Sequence, residues 1–215
     1  MRCTADLERE ARSAGYPLVA GADEAGRGCL FGPVVAAAVI LDPERPIAGL
    51  RDSKALTPKE RESLATRIRE RAVAWAVAGA DAFEIDRLNI YQASRLAMKR
   101  AVEKLHPPAN FVLVDAVILD VDIPQRAVVH GDALCRSIAA ASILAKTGRD
   151  SLMEAWDAVF PQYGLRRHKG YPTAEHRRAI AHWGPTWLHR FSYGPVKAGS
   201  IQQEFFAGEV HAPWM

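Results

Sequence analysis

The sequence predicts an α/β protein, a sheet covered by helices, and three observations carry that prediction. Helix-like and strand-like segments alternate along the chain. One run, Val34–Leu41, is almost continuously apolar and strand-sized, as a strand buried on both faces must be. Helix-start signals precede the periodic segments, as at Thr57-Pro58, where a hydroxyl caps and proline suits the first helical position.

In chain order, Thr4–Ala14 reads as a short helix ended by Gly15, with Pro17 blocking continuation. Leu18–Asp23 reads as a strand that runs into a tight turn at Gly26-Arg27-Gly28. Pro33–Leu41 is the second strand, ended by Asp42-Pro43. The helix from Thr57 runs to Arg71, and Val73–Ala80 is a third strand whose alanines blur its pattern. Asn89 caps a helix in which Ile90, Ala93, Ala97, Ala101 and Leu105 share one face until Pro107-Pro108 stops it. Phe111–Asp115 and Ala127–His130 are the next strands. Asp132–Lys146 reads as an alanine-rich helix, and Asp150 opens a separate one to Phe160. A loop, a helix over Thr173–Trp183 and a tail complete the chain.

The 215 residues are 49% hydrophobic and 25% charged, the balance of a globular domain with a real core, which excludes disorder and fibrous folds. No apolar run approaches the ~20 residues a bilayer span needs. The first ten residues alternate in charge, so no signal peptide is expected. Cys3, Cys29 and Cys135 are scattered without metal-ligand spacing, which argues against zinc and disulfide frameworks and suits a reducing cytoplasm. The net charge of +3 is uneven: residues 161–200 hold seven Lys/Arg and one acid, Glu175. Tyr163, Tyr171, Trp183, Trp187, Phe191 and Tyr193 lie in the same stretch. The expected organisation is a near-neutral body over 1–160, a basic aromatic annex over 161–200, and a tail over 201–215. Cations interleaved with rings suit nucleic acid; a solvated helix beside a small satellite core fits the same pattern.

Four carboxylates stand out. Asp23 and Glu24 end the first strand, Asp115 ends Phe111-Val112-Leu113-Val114, and Asp132 opens the alanine-rich helix. Acids at the rim of an apolar sheet repel one another and resist desolvation. Hard divalent cations are the usual compensation, and two of them can stabilise both oxygens of a phosphodiester displacement. Plainer roles exist: Asp132 as a helix cap, Asp23 and Glu24 as turn acids. Asp120, Asp122 and Asp150 are competitors that spacing does not separate. Two acids in Gly21–Gly28 and a strand after it argue against a dinucleotide loop, which needs an uncharged approach to pyrophosphate ahead of a helix.

Gly21-Ala22-Asp23-Glu24-Ala25-Gly26-Arg27-Gly28 followed by Gly32-Pro33-Val34-Val35 resembles the N-terminal signature of ribonuclease HII, the type 2 ribonuclease H family. Asp52-Ser53-Lys54, Leu113–Ala116, Gly131-Asp132-Ala133, Ile138–Lys146 and His168-Lys169-Gly170-Tyr171-Pro172-Thr173 follow in family order, and His189-Arg190-Phe191-Ser192-Tyr193 resembles its closing motif. The resemblance implies a ribonuclease H-like fold with a central mixed five-stranded sheet, flanking helices and a helical C-terminal region. It implies endonucleolytic hydrolysis of RNA in RNA–DNA hybrids and incision 5′ to single ribonucleotides in duplex DNA. It implies two Mg²⁺ or Mn²⁺ on Asp23, Glu24, Asp115 and Asp132, with 3′-OH and 5′-phosphate ends as products. Asp150 then reverts to a helix-start residue.

The same resemblance assigns Gly26, Arg27 and Gly28 to the ribose 2′-OH and Tyr171 to stacking on the next deoxyribose. Lys54, Ser142, Lys146, His168 and Lys169 become phosphate contacts. It also implies a monomer, and roles in ribonucleotide excision repair and primer removal. Departures from the family pattern are Cys29 and Phe31 after the turn, His130 before Gly131, the bulky Leu134-Cys135-Arg136, and Tyr193; none removes a carboxylate. Gln202–Phe206 partly resembles the bacterial sliding-clamp peptide.

Overall fold

The structure, a computed structural model, describes residues 3–198. Five strands form one mixed sheet: β1 (Val19–Ala25), β2 (Val34–Ile40), β3 (Ala74–Ala80), β4 (Phe111–Asp115) and β5 (Gln125–Val128), in the order β3-β2-β1-β4-β5. β1 pairs antiparallel with β2 and parallel with β4, and β5 extends the parallel side. Every residue of β2 is buried. Its alternate residues serve two cores: Val34, Ala36, Ala38 and Ile40 face one, Ala37 and Val39 the other. A two-residue period with both faces covered is why the sequence shows a continuous apolar run.

The first core is closed by α4 (Ile90–Glu103), through Ala93, Ala97, Met98, Ala101 and Val102. The second is closed by α2 (Pro58–Arg71) and by α6 (Arg136–Val159). α6 lies so close to β1 that a Cβ at Gly21 would stand 2.1 Å from the Ser137 carbonyl carbon. Thr57 caps α2 in a capping box with Glu60. Asp81 and Glu84 make a second box on α3 (Ala82–Leu88), a helix the periodicity does not reveal. Asn89, at φ 71°, ends α3 and caps α4.

Three sequence expectations are corrected. The alanine-rich helix does not begin at Asp132. A single turn, α5 (Gly131–Leu134), is followed by an extended Cys135, and α6 starts after it. The N-terminal segment causes the break, since Thr4 N–H donates to Leu134 O and Arg136 N–H to Thr4 O. α6 has no side-chain cap of its own; Glu8 of α1 (Asp6–Ser13) accepts from Ser137 N–H at 2.7 Å. Second, Asp150 starts no helix: α6 runs through it for 24 residues, and Lys146 one turn earlier pairs with its carboxylate. Third, β5 spans 125–128 rather than 127–130, because His130 turns left-handed at φ 56°.

The basic annex carries α7 (Leu165–His168), α8 (Ala174–Trp183) and a helical segment over 194–198. It packs on the loop after β1 through a satellite core of Leu30, Phe31, Met153, Tyr163, Leu165, Ile180, Leu188 and Val196. No helix among the described residues is long and apolar enough to cross a membrane. The clamp-like segment Gln202–Phe206 and the 201–215 tail lie outside the described residues.

Candidate active site

β1 and β4 are adjacent and parallel, so their C-terminal ends share one sheet edge. That edge puts Asp23 and Glu24 beside Asp115. Asp132 arrives from α5, which is tied in by Gly131 N–H donating to Asp115 Oδ1 at 2.7 Å. All four acids line one cleft of about 250 Å³. Gly26, Arg27, Gly28, Ser53, Lys54, Ser142, Lys146 and Tyr171 complete its walls. The competitors Asp120, Asp122 and Asp150 do not line it.

The electrostatics of the cleft are those of crowded, dehydrated acids. Burial, then the charges of Glu24 and Asp115, push Asp23 well above the ordinary carboxylate range; the Ser142 hydroxyl and the Glu24 N–H act the other way. Burial raises Glu24 against the opposing Arg27 guanidinium, and Asp115 adds to the rise. Burial raises Asp115, the Gly131 N–H opposes it, and Asp132 raises it further. Two cations reply: Arg27 meets Glu24 at 3.2 Å, and Lys54 Nζ meets Asp132 Oδ2 at 3.0 Å. Among the described residues Asp23 makes no close ion pair, and Lys54 reaches it only through its longer-range charge. A rim of oxygen donors whose most deeply buried carboxylate lacks a close cation fits a hard divalent cation. Among the described residues no His, Cys, Asp or Glu trio stands in a ready-made metal cage, so the fit is one of donor chemistry.

Two loops face these acids. In the first, Gly26 sits at φ 93°, and a Cβ there would lie 2.0 Å from Arg149 Nε. Gly28 is different: a Cβ on it would meet nothing within 4 Å. The second loop holds Tyr171, which is 41% exposed. Sequence reasoning missed what ties the two loops together. Arg149 is fully buried and donates to Phe31 O (2.9 Å), Pro33 O (3.2 Å) and Lys169 O (2.7 Å). Arg190, equally buried, donates to Arg27 O (2.7 Å) and Gly32 O (3.0 Å). A signal for Arg149 existed: it continues the buried series Ala141, Ala145 and Met153 at four-residue spacing.

The expected phosphate contacts divide. Lys54, Ser142 and Lys146 are in the cleft. Lys169 lies in the neighbouring depression and pairs with Glu154. His168 is buried, with Nε2 2.8 Å from Tyr163 O and Nδ1 accepting from Gly170 N–H. It supports its loop from beneath and does not line the cleft.

The family model described as Ribonuclease HII matches residues 20–196. The ribonuclease HII of Solibacter usitatus is 62% identical over 93% of this chain and 87% of its own length. That of Koribacter versatilis is 52% identical over 95% of this chain and 80% of its own. Among solved structures, the ribonuclease H2 of Pyrococcus horikoshii superposes with a TM-score of 0.73 at 25% identity, covering 86% of this chain and 98% of that one.

Proposed function

The chain belongs to the ribonuclease HII family and is a ribonuclease H acting on RNA–DNA hybrids, and from that premise we propose that it also incises duplex DNA 5′ to a single ribonucleotide. The observation that carries this reading is one cleft holding four acids, the Gly26-Arg27-Gly28 turn and Tyr171 together. Gly28 needs no glycine for its own packing or conformation. A substrate that must approach the backbone supplies the reason, and the ribose 2′-OH is the group that separates RNA from DNA.

Asp23, Glu24, Asp115 and Asp132 would hold two Mg²⁺ or Mn²⁺ ions, which when bound supply charge compensation and Lewis-acid stabilisation of the entering and leaving oxygens. Arg27 spends one nitrogen on Glu24 and keeps its other donors for the scissile phosphate. Lys54 is 80% exposed along its side chain while its ammonium rests on Asp132, so it can swing to a phosphate oxygen. Ser142 steadies Asp23 from behind and shares a 3.0 Å hydrogen bond with Ser53. The Tyr171 ring, half-exposed at the cleft, would lie against the deoxyribose that follows the ribonucleotide. The products are a 3′-OH and a 5′-phosphate. The annex over 161–200, with exposed Trp183, Trp187 and Phe191, would grip the duplex.

Excision of misincorporated ribonucleotides and primer removal in the cytoplasm, by a monomer, suit this chemistry; clamp binding through Gln202–Phe206 is tested by Phe205→Ala with Phe206→Ala. The deciding experiment is a gel assay on labelled duplex DNA with one ribonucleotide, with Mg²⁺, Mn²⁺ or chelator, beside an all-DNA control and a long RNA–DNA hybrid. Metal-dependent cutting 5′ to the ribonucleotide alone is expected. Cutting of the control, or cutting only of long hybrids, would overturn the reading.

A further inference from the structure

Beneath the Tyr171 loop lie three imidazoles, His168, His176 and His189, all buried. Their hydrogen bonds have only one consistent direction. Thr186 N–H approaches His189 Nδ1 at 2.9 Å, and a backbone N–H can only donate. His189 Nδ1 is therefore bare, and the proton of the neutral ring is on Nε2. That nitrogen stands 3.3 Å from His176 Nε2, so His189 donates and His176 accepts. The His176 proton must then be on Nδ1, which is 3.0 Å from the Tyr171 carbonyl oxygen, a group that can only accept. Burial holds His176 at about 4 and His189 at about 3, with the neighbouring imidazoles adding to both, so each ring carries a single proton at neutral pH.

The relay ends on the main chain of Tyr171, the one annex residue among those described that lines the acid cleft. Its loop has no helix or strand to hold it. Lys169 and Gly170 turn left-handed at φ 51° and 81° just before Tyr171. The fixed points on that side include Arg149 on Lys169 O, Leu30 N–H on Gly170 O, Tyr171 N–H on His168 O, and Thr173 N–H and His176 on Tyr171 O, while the Tyr171 side chain lies beside the Cys29 thiol. His168 stacks on His176 at 4.5 Å, and the Phe31 ring meets His189 edge-on at 4.9 Å. Phe31 comes from the loop that follows Gly28, so the relay is packed against both loops.

We propose that His176, oriented by His189, is a positioning residue for Tyr171: its Nδ1–H fixes the Tyr171 carbonyl and thereby the ring's place over the cleft. The proposal rests on the role given to Tyr171 above. It makes the annex histidines determinants of selectivity for single ribonucleotides over long hybrids, although neither touches substrate.

The test compares His176→Leu, His176→Asn and Tyr171→Ala, each measured for kcat and KM on a single-ribonucleotide duplex and on a long hybrid. The amide nitrogen of Asn takes the place of Nδ1, so His176→Asn keeps the donor to Tyr171 O while losing the link to His189 and the ring stack on His168. His176→Leu is expected to lower the single-ribonucleotide to hybrid ratio about tenfold, chiefly through kcat, with His176→Asn restoring it to within about threefold. Equal loss on both substrates, or no rescue by Asn, would overturn the proposal. Tyr171→Ala separates the two claims. If it leaves the ratio unchanged, the role of Tyr171 fails and takes the proposal with it; if it lowers the ratio and His176→Leu does not, the relay alone fails. Long-range ¹H–¹⁵N spectra of the wild-type protein need no variant to fold. They should show His176 protonated on Nδ1 and His189 on Nε2, and the reverse pair would refute the relay outright.

Discussion

Gly28→Ala is the most informative single change because stability and activity should part company. The added methyl meets no atom within 4 Å, and Gly28 is not among the glycines with positive φ. The fold should therefore keep its stability or gain about 0.4–1 kcal/mol from a less flexible unfolded chain. On the proposed reading the methyl would nevertheless stand where the ribose approaches. Loss of a backbone contact there, at about 1–3 kcal/mol, corresponds to a fall in kcat/KM of about five- to 150-fold. Gly26→Ala supplies the contrast. Its φ of 93° is strained for alanine, and its Cβ would sit 2.0 Å from Arg149 Nε, a group held by three carbonyls and unable to yield. It should cost about 2–4 kcal/mol of stability. Thermal melts alongside kinetics on a single-ribonucleotide duplex distinguish the two. A Gly28→Ala enzyme with wild-type kcat/KM and unchanged melting would refute the backbone-approach argument.

Asp23→Asn should abolish cleavage while hybrid binding, followed by fluorescence anisotropy, survives; turnover near the wild-type rate would remove Asp23 from the mechanism. The same change bears on pH. Asp23, Glu24 and Asp115 have folded pKa values raised above the ordinary 3.8–4.5, so the folded chain holds their protons more tightly than the unfolded chain. Their ionisation therefore takes stability away as pH rises from that range through the raised values. In chelator at neutral pH, Asp23→Asn should melt above the wild type, and the gap should close as the pH is lowered toward 4; a lower melting point would contradict the burial argument. Tyr171→Ala should reduce cleavage at single ribonucleotides about tenfold while leaving duplex binding within about threefold, and equal loss of both would assign the ring to packing. Arg149→Met should cost about 3–5 kcal/mol in urea unfolding, because the carbonyls of Phe31, Pro33 and Lys169 lose a buried donor; a loss under about 1 kcal/mol would mean water replaces it.

Local chemistry that acts within a few residues was legible in the sequence. Thr57 with Pro58, Asn89, and the strand Phe111–Asp115 stand where the residues put them, because a cap or an apolar run needs no distant partner. What misled were positions decided from far away. Nothing near Cys135 breaks a helix; the break comes from Thr4, more than a hundred residues earlier, which pairs with 134 and 136. Conversely the residues suggest one helix ending at Lys146 and another opening at Asp150, yet α6 runs through both because its apolar faces are committed to the sheet and to the satellite core.

The site shows the same division. Carboxylates at strand ends announce themselves, since an acid after four apolar residues has few neutral explanations, and parallel pairing of β1 with β4 is what makes them neighbours. The parts that hold the two loops facing those acids are quieter. Arg149 and Arg190 spend their charge on carbonyls of distant loops, most of them over a hundred residues away, so no local acid marks them. Arg149 was nonetheless visible as a cation on an otherwise apolar helical stripe, a position where burial without an acidic partner costs too much unless main-chain acceptors converge on it. Convergence of that kind is what a pair of irregular loops supplies, because their carbonyls have no ladder to join. The burial of the two arginines and the shape of the cleft thus have one cause: loops free of regular structure can line a cleft closely only if something else satisfies their backbone.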